Sequence, residues 1–288
     1  MDLGSFGAWT ARAVQRYRSR NLHLRVHLPG SVTVHDIQGE YDPREVEVDQ
    51  VGIAGLRYPV LFEDGVITER GVADVSVTVR LQADRRGTHM SRMVALVHDR
   101  LRVFDPRDLA QTLKAGAADL DAPQIAVTLG MPIATVTAAP TSELESMTVH
   151  DIIVTGTWED GGCRVTTSVT SEVTSLCPCS KSISDYGAHN QRSKVTLSVT
   201  GDGDDLYPLT VVDAVEIIRG SGSAPVVPLV KRVDERTLTM QAYDHPVFVE
   251  DMARGISLAC RARGLAHQVH VRNLESIHSH DAVALIVG

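Results

Sequence analysis

The sequence predicts an α+β protein built on antiparallel sheet. Three patterns carry that expectation. Val165 to Ser175, "VTTSVTSEVTS", alternates β-branched apolar and hydroxyl residues, the signature of a long strand with one buried face. Strand and helix patterns in the second half follow the order strand, strand, helix, helix, strand, strand. The first half repeats that order more faintly, without a close sequence repeat, which suggests two modules of one plan.

The elements can be justified in turn. Val195, Leu197 and Val199 continue the alternation in a second strand, and "GDGDD" at 201–205 reads as a turn. Pro208 and Gly220 bracket a helix whose apolar face is Val211, Val212, Val215 and Ile218. A second helix is expected from Pro246 to about Arg263, with Phe248, Met252, Ile256, Ala259 and Cys260 as its stripe and Gly264 ending it. Short strands follow near His267–Val271 and Asp281–Val287. In the first half, Val75, Val77, Val79 and Leu81 alternate, Asp105-Pro106 starts a helix through about Leu120, and strands are expected at Gln124–Thr137 and Thr148–Trp158. The boundaries predicted are a basic tail over 1–34, a first module over 35–140 and a second over 141–288, with the seam at "AAPTSE", 138–143.

Composition narrows the function. At 288 residues the chain can hold one large core or two medium ones. Aromatics are only 4%, so the core must be built from Val, Leu, Ile and Ala. A net charge of −8 offers no broad basic field for a nucleic acid backbone. No run of about 18 apolar residues exists, so no membrane helix is expected. The four cysteines are too few and too scattered for a secreted disulfide scaffold, which points to a reducing, cytoplasmic setting. The tail carries Arg12, Arg16, Arg18, Arg20 and Arg25 against Asp2, faintly like a transit peptide but read as a plain basic tail.

The chemistry concentrates in "LCPCSKSISDYGAHNQR", 176–192. Cys163 and Cys260 have no spacing that would complete a closed zinc clip with Cys177 and Cys179. A mixed site, with one thiolate, one imidazole and further carboxylates or imidazoles, suits a catalytic metal. Cys177 and His189 are separated by loop-type residues that can fold both onto one ion. "ESIHSHDA", from Glu275, adds His278 and His280; two apart, they would point the same way in a strand. "KRVDERT", 231–237, offers Asp234 and Glu235 beside Lys231 and Arg232 as a further candidate, and by itself such a string reads more readily as a solvated, self-paired loop. "RRGTHMSR", 85–92, offers Gly87 for a turn, Thr88 or Ser91 as a helix cap, and Arg85, Arg86 and Arg92 as positive charge.

Taken together, "VGIAGLRYPV", "GTHMSR", the Cys–His stretch, "KRVDE", "HPVFVEDMAR" and "ESIHSHDA" resemble, in this order, the type IB GTP cyclohydrolase I family, over about residues 35–288. Two departures are Met93, where an aromatic is usual, and a slightly longer loop at 221–225. The resemblance implies a tunnelling fold: two fused antiparallel modules, each with a pair of helices, assembling as homotetramers with active sites at subunit interfaces. It implies conversion of GTP to 7,8-dihydroneopterin triphosphate and formate, the first step of folate-type pterin synthesis. It implies metal ligation by Cys177, His189, Glu235 and His280, with a divalent cation, Mn²⁺ preferred and Zn²⁺ or Fe²⁺ admissible. Glu250 is implied as purine anchor and Cys179 as an acid/base candidate beside the metal. Lys181, Arg192, Arg232, His89 and Arg92 are candidates for contact with the substrate, and Glu275 and His278 for support of the site. Two readings compete. A pterin synthase or a nitrile reductase could use the same fold, the latter with a cysteine nucleophile, NADPH and no metal. A non-enzymatic module could use the Cys–His set as a structural metal site.

Overall fold

The computed structural model describes residues 36–288; the basic tail expected over 1–34 lies outside the described residues. The described strands are β1 (Val48–Glu63), β2 (Thr68–Leu81), β3 (Val103–Phe104), β4 (Gln124–Ala138), β5 (Glu145–Glu159), β6 (Gly162–Leu176), β7 (Asn190–Asp202), β8 (Ala224–Pro225), β9 (Ala266–Asn273) and β10 (Ala282–Val287). The helices are α1 (Met90–Arg100), α2 (Leu109–Leu120), α3 (Pro178–Ile183), α4 (Val211–Arg219), α5 (Arg232–Asp244) and α6 (Val249–Arg261). The strands form one ten-stranded sheet in the order β10-β9-β7-β6-β5-β4-β2-β1-β3, with β8 on β6. Every pairing is antiparallel except the short β1–β3 contact.

The α+β class and the doubled plan expected from the sequence are present. β1, β2, β4 and β5 lie side by side with α1 and α2 inserted after the second strand, and β6, β7, β9 and β10 repeat the arrangement with α4, α5 and α6. The 138–143 stretch, expected at the seam, instead turns the β4–β5 hairpin. In strand order the unit repeats across the β5–β6 turn at Asp160–Gly161, both at positive φ (52° and 81°), as tight hairpin turns require.

Alternation decides which face is covered. Val165, Val169 and Val173 of β6 and Val195, Leu197 and Val199 of β7 are buried in one cluster with Leu109 and Leu113 of α2, Val215 and Ile218 of α4, and Met252 and Ile256 of α6. The intervening hydroxyls pair across the strands on the other face: Thr166 with Thr200 at 2.9 Å, Ser168 with Ser198 at 2.7 Å, and Thr170 with Thr196 at 2.8 Å. Gly156 in β5 lets α2 sit close, since a Cβ there would fall 2.4 Å from Leu109 Cδ2.

Several boundaries differ from expectation for local reasons. Pro208 only leads into α4; Thr210 caps it, its Oγ1 accepting from Asp213 N at 3.1 Å. Neither Thr88 nor Ser91 caps α1, because His89 occupies the N-cap position. The 231–237 stretch is no loop. It opens α5, a helix whose mostly polar composition gives a weak apolar stripe, with Leu238, Ala242 and Tyr243 packed on Leu176 and Ala188.

Two buried polar groups, Tyr207 and His150, tie separate elements together. Tyr207 lies between β7 and α4; its hydroxyl donates to Asp64 Oδ2 at 2.8 Å and accepts from Val211 N at 3.0 Å. Asp64 sits in the β1–β2 turn and also accepts from Val66 N and Ile67 N. Twist accumulated across the intervening strands brings these corners of the two repeats together. His150 of β5, 1% exposed, bonds Ser171 Oγ at 3.0 Å and Thr135 Oγ1 at 2.8 Å. Burial, reinforced by the nearby Arg219 charge, pushes its imidazole down to about 4.

Candidate active site

Leu176 ends β6 opposite Asn190, which opens β7, so the chain from 177 to 189 leaves and re-enters the sheet at one point. Cys177 N–H donates to the His189 carbonyl at 3.0 Å. Cys177 is the N-cap of α3, with Pro178 as the first helical residue, and its Sγ accepts from Ser180 N at 3.5 Å. Ser180 Oγ donates to the Cys177 carbonyl at 3.1 Å and accepts from His189 N at 3.2 Å. The thiol and the imidazole are thus held in one small hydrogen-bonded turn. The sequence suggested only a loop here; the proline and the cysteine cap make its first part helical.

The β9–β10 connection reaches the same place, since Leu274 N donates to the Arg192 carbonyl at 2.9 Å. It brings Glu275 Oε2 to 3.9 Å from His189 Nδ1. The Glu275 side chain is 10% exposed and that oxygen has no hydrogen-bond partner. The His278 ring meets His189 edge-on at 6.4 Å, and His280 stacks on His278 at 5.2 Å and 18°. β10 begins only at Ala282, so stacking and not strand geometry aligns the two rings. His280 lines an open depression with His270, Arg272, Ser279, Asp281 and Val283.

The other expected site residues distribute unevenly. Lys181 is engaged: its ammonium donates to the Tyr243 carbonyl at the end of α5 and lies 4.2 Å above the Tyr243 ring. Cys179 is exposed on α3. Arg192 pairs with Glu172 at 3.3 Å. Glu250 is exposed in the first turn of α6, which is anchored beside Cys177 by Val247 N to the Leu176 carbonyl, 3.1 Å. Arg232 and Glu235 are exposed in the first turn of α5. It is the far end of that helix, roughly 12 Å along its axis, that meets Lys181. The 85–92 loop follows the end of β2. Through the registers of β2, β4, β5 and β6 it belongs to the sheet end opposite Cys177. There Arg85 pairs with Asp121, Arg86 with Glu40, and Arg92 donates to the Asp119 carbonyl at 3.3 Å. His89 caps α1 in that loop. Among the described residues no three His, Cys, Asp or Glu side chains converge as a ready cation site. One chain alone therefore does not gather Cys177, His189, Glu235 and His280 around a point.

Two residues organise this region: Asp234, which the sequence reading named only within the charged 231–237 string, and Gln191, which it passed over. Asp234, fully buried, accepts from Thr141 N (2.9 Å), Ser142 N (2.8 Å), Ser142 Oγ (2.7 Å) and Lys231 N (2.8 Å), and so staples the start of α5 to the β4–β5 hairpin. Burial alone would raise its pKa; the donors from Ser142, Lys231 and Thr141 hold it well below the usual carboxylate range. Gln191, 7% exposed, places Oε1 2.8 Å from His189 Nδ1. Its signal was its place two residues after His189 at the start of a strand, on the same face. Asp234 gave one too, standing three residues after the residue that precedes the helix.

The donor chemistry fits a divalent cation: a thiol, an imidazole, and a buried carboxylate oxygen lacking any partner beside that imidazole. Comparison with known proteins agrees. The family described as type I GTP cyclohydrolase folE2 matches residues 34–284. The chain belongs to that family. Over 255 residues, 88% of this chain and 98% of the relative, it is 38% identical to the GTP cyclohydrolase FolE2 of Neisseria gonorrhoeae. The FolE2 of Cupriavidus necator is 37% identical over 87% of this chain and 93% of its own. That of Herminiimonas arsenicoxydans is 36% identical over 88% and 96%. A solved uricase from Arthrobacter globiformis aligns over 83% of this chain and 93% of its own at 9% identity, with a TM-score of 0.42, a level that carries no functional argument.

Proposed function

We infer that this family member is a GTP cyclohydrolase that converts GTP to 7,8-dihydroneopterin triphosphate and formate, and that the Cys177–His189 turn is its reaction centre. The observation that carries the site is the turn itself: the backbones of Cys177 and His189 are hydrogen-bonded to each other, with the unpartnered Glu275 oxygen beside the imidazole. Cys177 and His189 would hold a divalent cation, Mn²⁺ by preference, with Glu235 and His280 completing the set. Bound there, such an ion supplies the Lewis acidity that makes water nucleophilic at neutral pH. The stacked His278 and His280 would serve to move protons as C8 is hydrated, the imidazole ring opens and formate leaves. Glu250 would accept from the guanine N1–H and 2-amino group. Arg192 and Arg232, with His89 and Arg92, would meet the triphosphate.

The placement of these groups favours a homotetramer with sites between subunits. The 85–92 loop and the Cys–His turn lie at opposite ends of one chain's sheet, so a single site using both needs a second copy. The four free cysteines suit a reducing cytoplasm. Among the described residues no helix is long and apolar enough to cross a membrane.

Metal-stripped protein given GTP, with and without Mn²⁺, tests the reading. Formate and, after oxidation, fluorescent neopterin should both appear only with the metal. Full turnover after exhaustive chelation would remove the metal from the mechanism. Formate without neopterin would mean that the ring opens and does not reclose, and neither product from folded, metal-loaded protein would overturn the assignment.

A further inference from the structure

We propose that Gln191 is a positioning residue that fixes the tautomer of His189, keeping the ring proton on Nδ1 and leaving Nε2 as the nitrogen with the lone pair. A neutral imidazole has one donor and one acceptor nitrogen, and its hydrogen-bond partners decide which is which. His189 Nδ1 lies 2.8 Å from Gln191 Oε1, an oxygen that can only accept. A second group near Nδ1 is the Glu275 Oε2 oxygen at 3.9 Å, again an acceptor and again one that favours a proton there. Ser276 Oγ lies 3.5 Å from Gln191 Oε1, a long contact that is compatible with the amide oxygen facing the ring. Gln191 itself is nearly buried in the first turn of the strand, paired with Ser175 on β6, so its side chain has little freedom to swing away.

The consequence reaches the metal reading, on which its last step rests: if His189 is a ligand, it binds through Nε2, in a ring orientation set before any ion arrives. A partner that fixes a ligating imidazole in this way contributes about 10- to 100-fold to metal affinity in other sites.

The test uses the full-length protein, stripped of metal, with its histidines labelled by ¹⁵N and His189 assigned by its loss in His189→Gln. Long-range ¹H–¹⁵N spectra are recorded about two pH units above the ordinary imidazole pKa, so that the ring is neutral. The wild type should show the Nδ1–H tautomer. Gln191→Met, close in shape but without the acceptor, should move His189 toward Nε2–H and weaken Mn²⁺ binding about 10- to 100-fold, read by electron paramagnetic resonance of the unbound ion. Gln191→Glu, which keeps an acceptor, should retain the wild-type tautomer. An Nε2–H ring in the wild type would overturn the proposal whether or not any variant folds. So would an unchanged Nδ1–H ring in folded Gln191→Met. If the tautomer shifts as expected and wild-type protein binds no Mn²⁺, the positioning role of Gln191 stands and the reading of His189 as a metal ligand falls.

Discussion

The first connection of each repeat occupies the same place in the strand plan, and the two could hardly differ more. Between β1 and β2 the chain turns in residues 64–67, and its one buried carboxylate, Asp64, is saturated by Val66 N, Ile67 N and the Tyr207 hydroxyl. Between β6 and β7 the chain spends residues 177–189 on a capped helical turn and a loop, and it holds a thiol and an imidazole beside a carboxylate oxygen with no partner. One connection has its buried carboxylate fully answered and serves stability. The other leaves polar capacity open at the end of the same kind of strand pair. The difference teaches that two connections at the same place in the strand plan can be built for different ends, one short and satisfied, the other long and rich in polar side chains.

Substitutions should separate the two. Cys177→Ala is expected to lower GTP turnover by more than about 100-fold and to leave the melting temperature nearly unchanged, because the side chain accepts only one long bond from Ser180 N. Unfolding of this variant at the wild type's working temperature would sink the contrast and favour a structural metal site. Fluorescent neopterin yield and a thermal melt read both effects.

The opposite profile is expected away from that connection. His150 is held neutral, its pKa pushed down to about 4 against an ordinary value near 6.5. The unfolded chain therefore binds the extra proton first as pH falls. Stability from this group is complete above about 6.5 and is lost progressively toward 4, by about 2 kcal/mol at pH 5. Urea unfolding at pH 7.5 and pH 5 should show that loss in the wild type and a flatter response in His150→Asn; equal slopes would remove His150 as the cause. Tyr207→Phe takes a donor from buried Asp64 and an acceptor from Val211 N–H, and should cost about 1.5–3 kcal/mol in urea unfolding with GTP turnover preserved. Thr210→Ala, which removes the α4 cap, is the smallest effect, about 1 kcal/mol by the same measurement.

Sequence pattern was a good guide wherever one face of an element is apolar and the other is not. β6 and β7 were legible from alternation, and α6 from the spacing of Met252, Ile256 and Cys260, all fully buried. α5 was not, because only Leu238, Ala242 and Tyr243 touch the core along its length, and its charged start looks like any solvated loop. The site was half legible. Cys177, His189 and the 275–280 histidines announce themselves by residue type. Gln191 and Asp234 do not, because an amide or a carboxylate gains its meaning from the donors folded against it, and those come from distant stretches such as 141–142. Register also lay beyond the pattern: only the ladder through β2, β4, β5 and β6 reveals that the 85–92 cations sit at the other end of the sheet.

The mixture of Val with Thr and Ser along β6 has a consequence for how the chain finds its fold. Valine and threonine have nearly the same shape and the same preference for extended backbone, so neither propensity nor volume tells this strand which way to face. Val165, Val169 and Val173 mark the helix side, which Thr167, Ser171 and Ser175 share, and the cross-strand hydroxyl pairs mark the open side. Shifting β6 by a single position would put the hydroxyls of Thr166, Ser168 and Thr170 beneath the helices and the methyls of Val165 and Val169 on the outside, undoing all three cross-strand pairs at once. The register of the strand that leads to Cys177 is thus held in part by three hydroxyl pairs well before its end.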